Sequence, residues 1–155
     1  MKIIRFSILV LVLFSLVSCD KSVYYEHNET IVKDEWSSDH LLKHEIMIND
    51  TMDVFNMFIH VRNHVDYAYC NLFLFVNTTF PNGQIAKDTL ECLLAEKSGK
   101  WYGKGRGKYR DSKILFKPQL RFPLEGVYQI DIRQAMREEP LKGISNIGIS
   151  LETKE

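Results

Sequence analysis

Residues 55–62 read FNMFIHVR, and their alternation decides the fold class. Phe55, Met57, Ile59 and Val61 fall on one side of an extended chain, while Asn56, His60 and Arg62 fall on the other. That period of two belongs to a strand with one buried face. The same rhythm begins near residue 44 and returns downstream. Tyr67 to Asn77 is rich in aromatic and branched residues, and Phe80-Pro81-Asn82-Gly83 then breaks and reverses the chain, since proline cannot donate to a ladder and Asn-Gly favours a tight turn. The returning arm of this hairpin runs from about Asp88 to Lys97, with Leu90, Cys92 and Leu94 on one face. Trp101 to Gly107 form a glycine-rich loop. Further strands are predicted at about Lys113 to Lys117, Val127 to Arg133 with Tyr128, Ile130 and Ile132 inward, and Ile144 to Glu152. The helical candidates are short: a turn or two near Asp39 to Lys43, and Gln134 to Glu139, ended by Pro140 and Gly143. About seven short strands with no crossover helices predict an all-β fold, an antiparallel two-sheet β-sandwich of jelly-roll-like kind.

Upstream of this domain the chain changes character. MKIIRFSILVLVLFSLVSC places Lys2 and Arg5 before an apolar run, Phe6 to Val17, which ends at Ser18 and Cys19. The run is shorter than the roughly 18–20 residues a spanning helix needs, and Asp20-Lys21-Ser22 follows it directly, so a secretory signal is a better reading than a retained membrane anchor. Leu16-Val17-Ser18-Cys19 resembles a bacterial lipobox, in which the cysteine thiol accepts a diacylglyceryl group and becomes the first mature residue. Fatty acyl chains such as palmitate contribute roughly 0.8 kcal/mol per buried methylene, enough when several are present to hold a domain on a bilayer it does not cross. The expected organisation is a lipoprotein signal peptide over residues 1–18, a lipidated N-terminus and tether over 19–33, and a sandwich domain over 34–155. Tyr24 and Tyr25 are placed to rest on that domain.

Removing 18 residues from 155 leaves 137, a length that suits one domain. In that mature chain 18 basic residues face 20 acidic ones, and no basic face is evident, so a nucleic-acid partner is not expected. With Cys19 taken by lipid, Cys70 and Cys92 remain. An oxidising envelope would permit a bridge, but both lie in apolar strand-like runs where a buried thiol is the commoner outcome.

The constellations that carry chemistry are weak. His40 and His44 have a spacing that a helical zinc site can use, but no further ligand stands at a motif distance and the segment leads into a strand. His60 and His64 share a strand face with Arg62, as a solvated surface does. Gly103-Lys104-Gly105-Arg106-Gly107 is not followed by the helix that a phosphate-cradling loop requires. No serine occupies a nucleophile elbow, and Glu138, Glu139, Asp50, Asp53 and Asp88 sit at turns or strand ends. No metal, cofactor, small-molecule substrate or catalytic residue is therefore expected. Trp36, Trp101, Tyr102 and Tyr109 fall in loop-like stretches, where rings either dock on a partner or close the end of the core.

YAYCNLFLFVNTTF at 67–80, Asp88-Thr89-Leu90-Glu91, Gly99-Lys100-Trp101-Tyr102-Gly103-Lys104-Gly105, Gly126-Val127-Tyr128, Gln134-Ala135-Met136-Arg137, Leu141-Lys142-Gly143-Ile144 and Ile147-Gly148-Ile149 form an ordered series. In that series the chain resembles the gliding-motility lipoprotein family GldH. The resemblance implies a non-catalytic envelope lipoprotein of the Bacteroidetes, associated with the gliding machinery and type IX secretion, with other envelope motility or secretion proteins as partners. Asp20 directly after the lipidated cysteine would retain a lipoprotein at the inner membrane under enterobacterial sorting rules; those rules do not transfer to this phylum, so the outer membrane is the expected location and the inner membrane the alternative, and only Cys19 matches a defined functional position of the family. Asp50-Thr51-Met52 and Asp88-Thr89-Leu90 resemble the O-glycan acceptor pattern of that phylum, making Thr51 and Thr89 candidate acceptors. The loop aromatics Trp36, Trp101 and Tyr102 also admit a different class, a glycan-binding sandwich module.

Overall fold

The computed structural model describes residues 23–153, which form ten strands and one short turn of 3₁₀ helix. In chain order these are β1 (Val23–Thr30), the turn Val32–Asp34, β2 (Glu35–Trp36), β3 (Leu42–Ile48), β4 (Phe55–His64), β5 (Asn71–Thr79), β6 (Ile85–Leu93), β7 (Tyr109–Leu120), β8 (Gly126–Gln134), β9 (Leu141–Lys142) and β10 (Ile144–Thr153). They build two four-stranded antiparallel sheets, β1-β10-β4-β7 and β3-β8-β5-β6, with a small β2-β9 pair at one end. Most connections pass from one sheet to the other, as in the double-sheet wrapping of a jelly roll.

The alternation read at 55–62 is realised in β4, whose Phe55, Met57, Ile59 and Val61 are all buried. They meet Ile46, Leu74, Val76, Tyr128, Ile130 and Ile132 of the facing sheet in one continuous core. β10 is central in its sheet and is buried on both faces from Ile147 to Leu151. At the end nearest Val23, Phe55, Phe122, Tyr128 and Phe80 pack edge to face, with ring centroids 4.7–5.8 Å apart. The buried Tyr128 hydroxyl donates to the Leu124 carbonyl at 3.0 Å and accepts from the Leu124 N–H at 3.1 Å, so its burial leaves no unmade bond.

Three expectations change. The segment predicted as tether to residue 33 is ordered from Val23: β1 pairs along its length with β10, from Val23 opposite Glu152 to Thr30 opposite Asn146. Its Tyr24 hydroxyl donates to the Met47 carbonyl of β3 at 2.7 Å, joining the two sheets along that side. The two helical candidates are also absent among the described residues. Leu42 and Lys43 already belong to β3. After Gln134 the chain is held as a loop, because the Gln134 side chain accepts from the Met136 N–H at 2.7 Å and donates to the Glu138 carbonyl at 3.3 Å. That local side-chain bonding competes with a helical turn. Finally, the second arm of the hairpin runs Ile85–Leu93, earlier than the predicted stretch to Lys97.

Candidate functional site

The residues singled out from sequence do not converge on one site. Cys19 and the signal segment lie outside the described residues. Trp36, Trp101, Tyr102 and Tyr109 all stand at the end of the sandwich opposite Val23, but they do not form one patch. Trp36 is fully buried, with its indole N–H donating to the His40 carbonyl at 2.9 Å, and so cannot contact a partner. β2 needs a large apolar side chain here to close the core beneath the β2-β9 pair, which decides between the two readings left open by sequence. Trp101 is half-buried and packs on the core, while its backbone bridges to Ala95. Tyr102 is 57% exposed and Tyr109 is 37% exposed. The Tyr109 hydroxyl donates to Asp34 at 3.2 Å and its ring meets His64 edge-on at 5.4 Å. The candidate acceptors lie apart: Thr51 is half-buried in the β3–β4 turn, where Asp50 accepts from the Met52 N–H at 2.7 Å, and Thr89 is exposed on the edge strand β6.

The histidines have separate lives. His40 pairs with Glu29 at 2.9 Å, and His64 with Asp66 at 3.3 Å. His44 points into the core between β1 and β3 with its Nε2 unpartnered. Burial first, then the neighbouring His27, lowers its pKa to about 4, with Asp131 opposing. His60, expected on a solvated face, is half-buried and bonded to Ser150 at 2.7 Å, and burial lowers its pKa as well. No three His, Cys, Asp or Glu residues among those described converge to hold a metal ion.

The His60–Ser150 pair has the spacing of a base and a nucleophile, but Ser150 is completely buried, so no substrate carbonyl can reach its oxygen. Above it the outer face of the β1-β10-β4-β7 sheet holds a shallow trough of about 370 Å³ lined by Asn28, His60, Arg62, Asp111, Lys113 and Asn146. Its charges are neutralised internally: Arg62 engages Asp111 through two bonds of 2.6 and 3.1 Å, and Lys113 reaches Glu152 at 2.6 Å. Sequence reasoning missed this face because its residues come from four strands far apart in the chain.

Cys92 is buried, and desolvation ahead of the nearby Glu91 pushes its thiol up to about 12, so it behaves as an inert small apolar group. Cys70 departs from expectation in being exposed, because it precedes β5 at the sandwich end, and both thiols are free.

The geometry thus offers docking surfaces more readily than a reaction centre, and comparison with known proteins supplies a family. Residues 23–151 match the family model described as GldH lipoprotein. A gliding motility lipoprotein GldH homolog of Christiangramia forsetii is 37% identical, over 96% of this chain and 93% of its own. The gliding motility lipoprotein GldH of Flavobacterium johnsoniae is 32% identical over the full length of both. Among solved structures, a fructofuranosidase from Schwanniomyces occidentalis superposes on 85% of this chain with a TM-score of 0.40 and 11% identity. This chain spans only 34% of that enzyme, a likeness too loose to bear on activity.

Proposed function

The chain belongs to the GldH lipoprotein family, and from that premise we propose that it is a non-catalytic accessory component of the gliding-motility and type IX secretion machinery, held on the outer membrane by acyl chains on Cys19. The observation that carries the reading is end-to-end similarity to two gliding motility lipoproteins, joined to a lipobox-like Leu16-Val17-Ser18-Cys19. A buried Ser150 and an inert Cys92 are in keeping with a role in contact rather than catalysis. The covalent lipid is the one non-protein group the role needs, and the partners are other envelope proteins of the same machinery.

Thr51 and Thr89 carry O-glycans in this reading. Thr89 is the more accessible acceptor, and Thr89→Ala is expected to increase the protein's electrophoretic mobility.

The decisive test is a deletion strain complemented with the wild-type chain or with Cys19→Ser. Deletion is expected to abolish colony spreading and type IX cargo export, and Cys19→Ser at equal abundance is expected not to restore them. Normal spreading and export in the deletion strain would refute the assignment.

A further inference from the structure

Between the edge strands β6 and β7 the chain crosses from one sheet to the other through residues 94–108, and this crossing is unusually basic. From Leu94 to Arg110 there are six basic residues and a single acidic one, Glu96. Lys100 lies 3.8 Å from Glu96, and Arg110 donates to the carbonyls of Gly107 and Tyr109. Lys97, Lys104, Arg106 and Lys108 are exposed and pair with no acidic residue among those described. Asp111, which follows directly, is already engaged by Arg62.

The loop is not a loose excursion. Tyr102 N–H donates to the Leu94 carbonyl at 2.9 Å, and Lys104 and Asp111 exchange backbone bonds of 2.9 and 2.7 Å. A Cβ at Gly103 would stand 2.7 Å from Ser112 Oγ, and one at Gly105 would stand 2.6 Å from the Tyr109 carbonyl oxygen, so glycine is what lets this strip lie flat on β7. The cations are therefore presented on a fixed backbone, which lowers the ordering cost of binding. Beside them Leu93, Tyr102, Ser112 and Ile114, with Lys104, the Glu152-paired Lys113 and the Arg62-paired Asp111, line a hollow of about 380 Å³. Leu93 and Tyr102 are both 57% exposed.

We propose that this loop and hollow form a docking site for an acidic protein segment that inserts an apolar side chain between flanking carboxylates. The combination favours protein over a polyanionic glycan, because the exposed aliphatic Leu93 beside Tyr102 offers a sugar no ring to stack on and is best covered by an apolar side chain, while the unpaired cations select the partner's charge. The basic loop stands toward the end of the sandwich opposite Val23: Lys104 bridges to Asp111, which is level with Thr30, so about seven residues at roughly 3.3 Å each set it about 23 Å from Val23. Charges decay over about 8–10 Å at physiological salt, so the lipid headgroups at the anchored end are not its ligand.

The proposal deepens the docking role above, and its test separates the two. A photoreactive phenylalanine analogue is placed at Tyr102, at Thr89 and at Met52 of the full lipidated protein in its own cells. The expected result is a protein adduct from position 102, crosslinked through a peptide with acidic residues around an apolar one. It should fall at least about tenfold in the Lys104→Glu/Arg106→Glu/Lys108→Glu variant and fall less in the corresponding glutamine variant, at unchanged melting temperature. Adducts from positions 89 or 52 alone, an adduct at 102 that withstands charge reversal, or one carried by glycan or lipid would overturn this site while leaving the docking role standing. No adduct from any position would overturn both.

Discussion

Trp36 and Tyr102 stand at the same end of the sandwich, yet one is sealed in the core and the other is more than half exposed. Local sequence does not separate them, since Trp36 sits in Asp-Glu-Trp-Ser-Ser and Tyr102 in Lys-Trp-Tyr-Gly-Lys, both stretches that read as loop. The difference lies in what passes over them: β9, more than a hundred residues downstream, covers Trp36, and nothing described covers Tyr102. Trp36→Ala is accordingly expected to cost about 3–5 kcal/mol in chemical denaturation, and Tyr102→Ala to stay within about 0.5 kcal/mol of the parent. His44 supplies a second test at this scale. In the folded chain it takes a proton only near pH 4, whereas an unfolded histidine does so near 6.5. Protons therefore bind the unfolded state preferentially between those values, and stability is full above pH 6.5 and lost as pH falls toward 4, by up to about 3 kcal/mol. His44→Leu is expected to flatten that part of the stability profile, and an unchanged slope would show that the burial of His44 is not its origin.

At the scale of elements, strands with one face on the core were legible, the edge strand β3 among them, and the edge strand β1 was not. β4 and β8 alternate cleanly because one face meets the opposite sheet and the other meets water. β1 has no such signature: VYYEHNET is mostly exposed on both faces, because it lies at a sheet edge and contributes a few contacts through Tyr25 and backbone pairing. Polar composition alone therefore made it look like a tether. Removing residues through Thr30 tests the strand directly. A chain starting at Ile31 is expected to lose several kcal/mol of the roughly 5–15 kcal/mol typical of a domain and to expose the edge of β10, whereas a true tether could be cut without effect on the denaturation midpoint. The loop after β8 misled in the opposite sense. Gln134 to Glu139 has helix-forming residues, but Gln134 is buried and spends its amide on the local backbone. The candidate site shows the same limit, since the acidic-protein site needs the sheet edge beside Leu93 to give the basic loop its apolar floor.

For the whole molecule, the position of Val23 at the start of β1 has a consequence for placement. Four peptide steps separate Cys19 from Val23 and can span no more than about 14 Å, so the acyl chains we propose on Cys19 would hold the Phe55, Phe122 and Phe80 end of the sandwich nearer the bilayer than the basic loop. That arrangement depends on one covalent event, and the most direct measurement is the mass of the N-terminal peptide of the mature protein isolated from the cell envelope. The account requires a peptide that begins at Cys19 and carries a diacylglyceryl group with its fatty acids. A bare cysteine at that position, or a peptide that still contains residues 1–18, would contradict it.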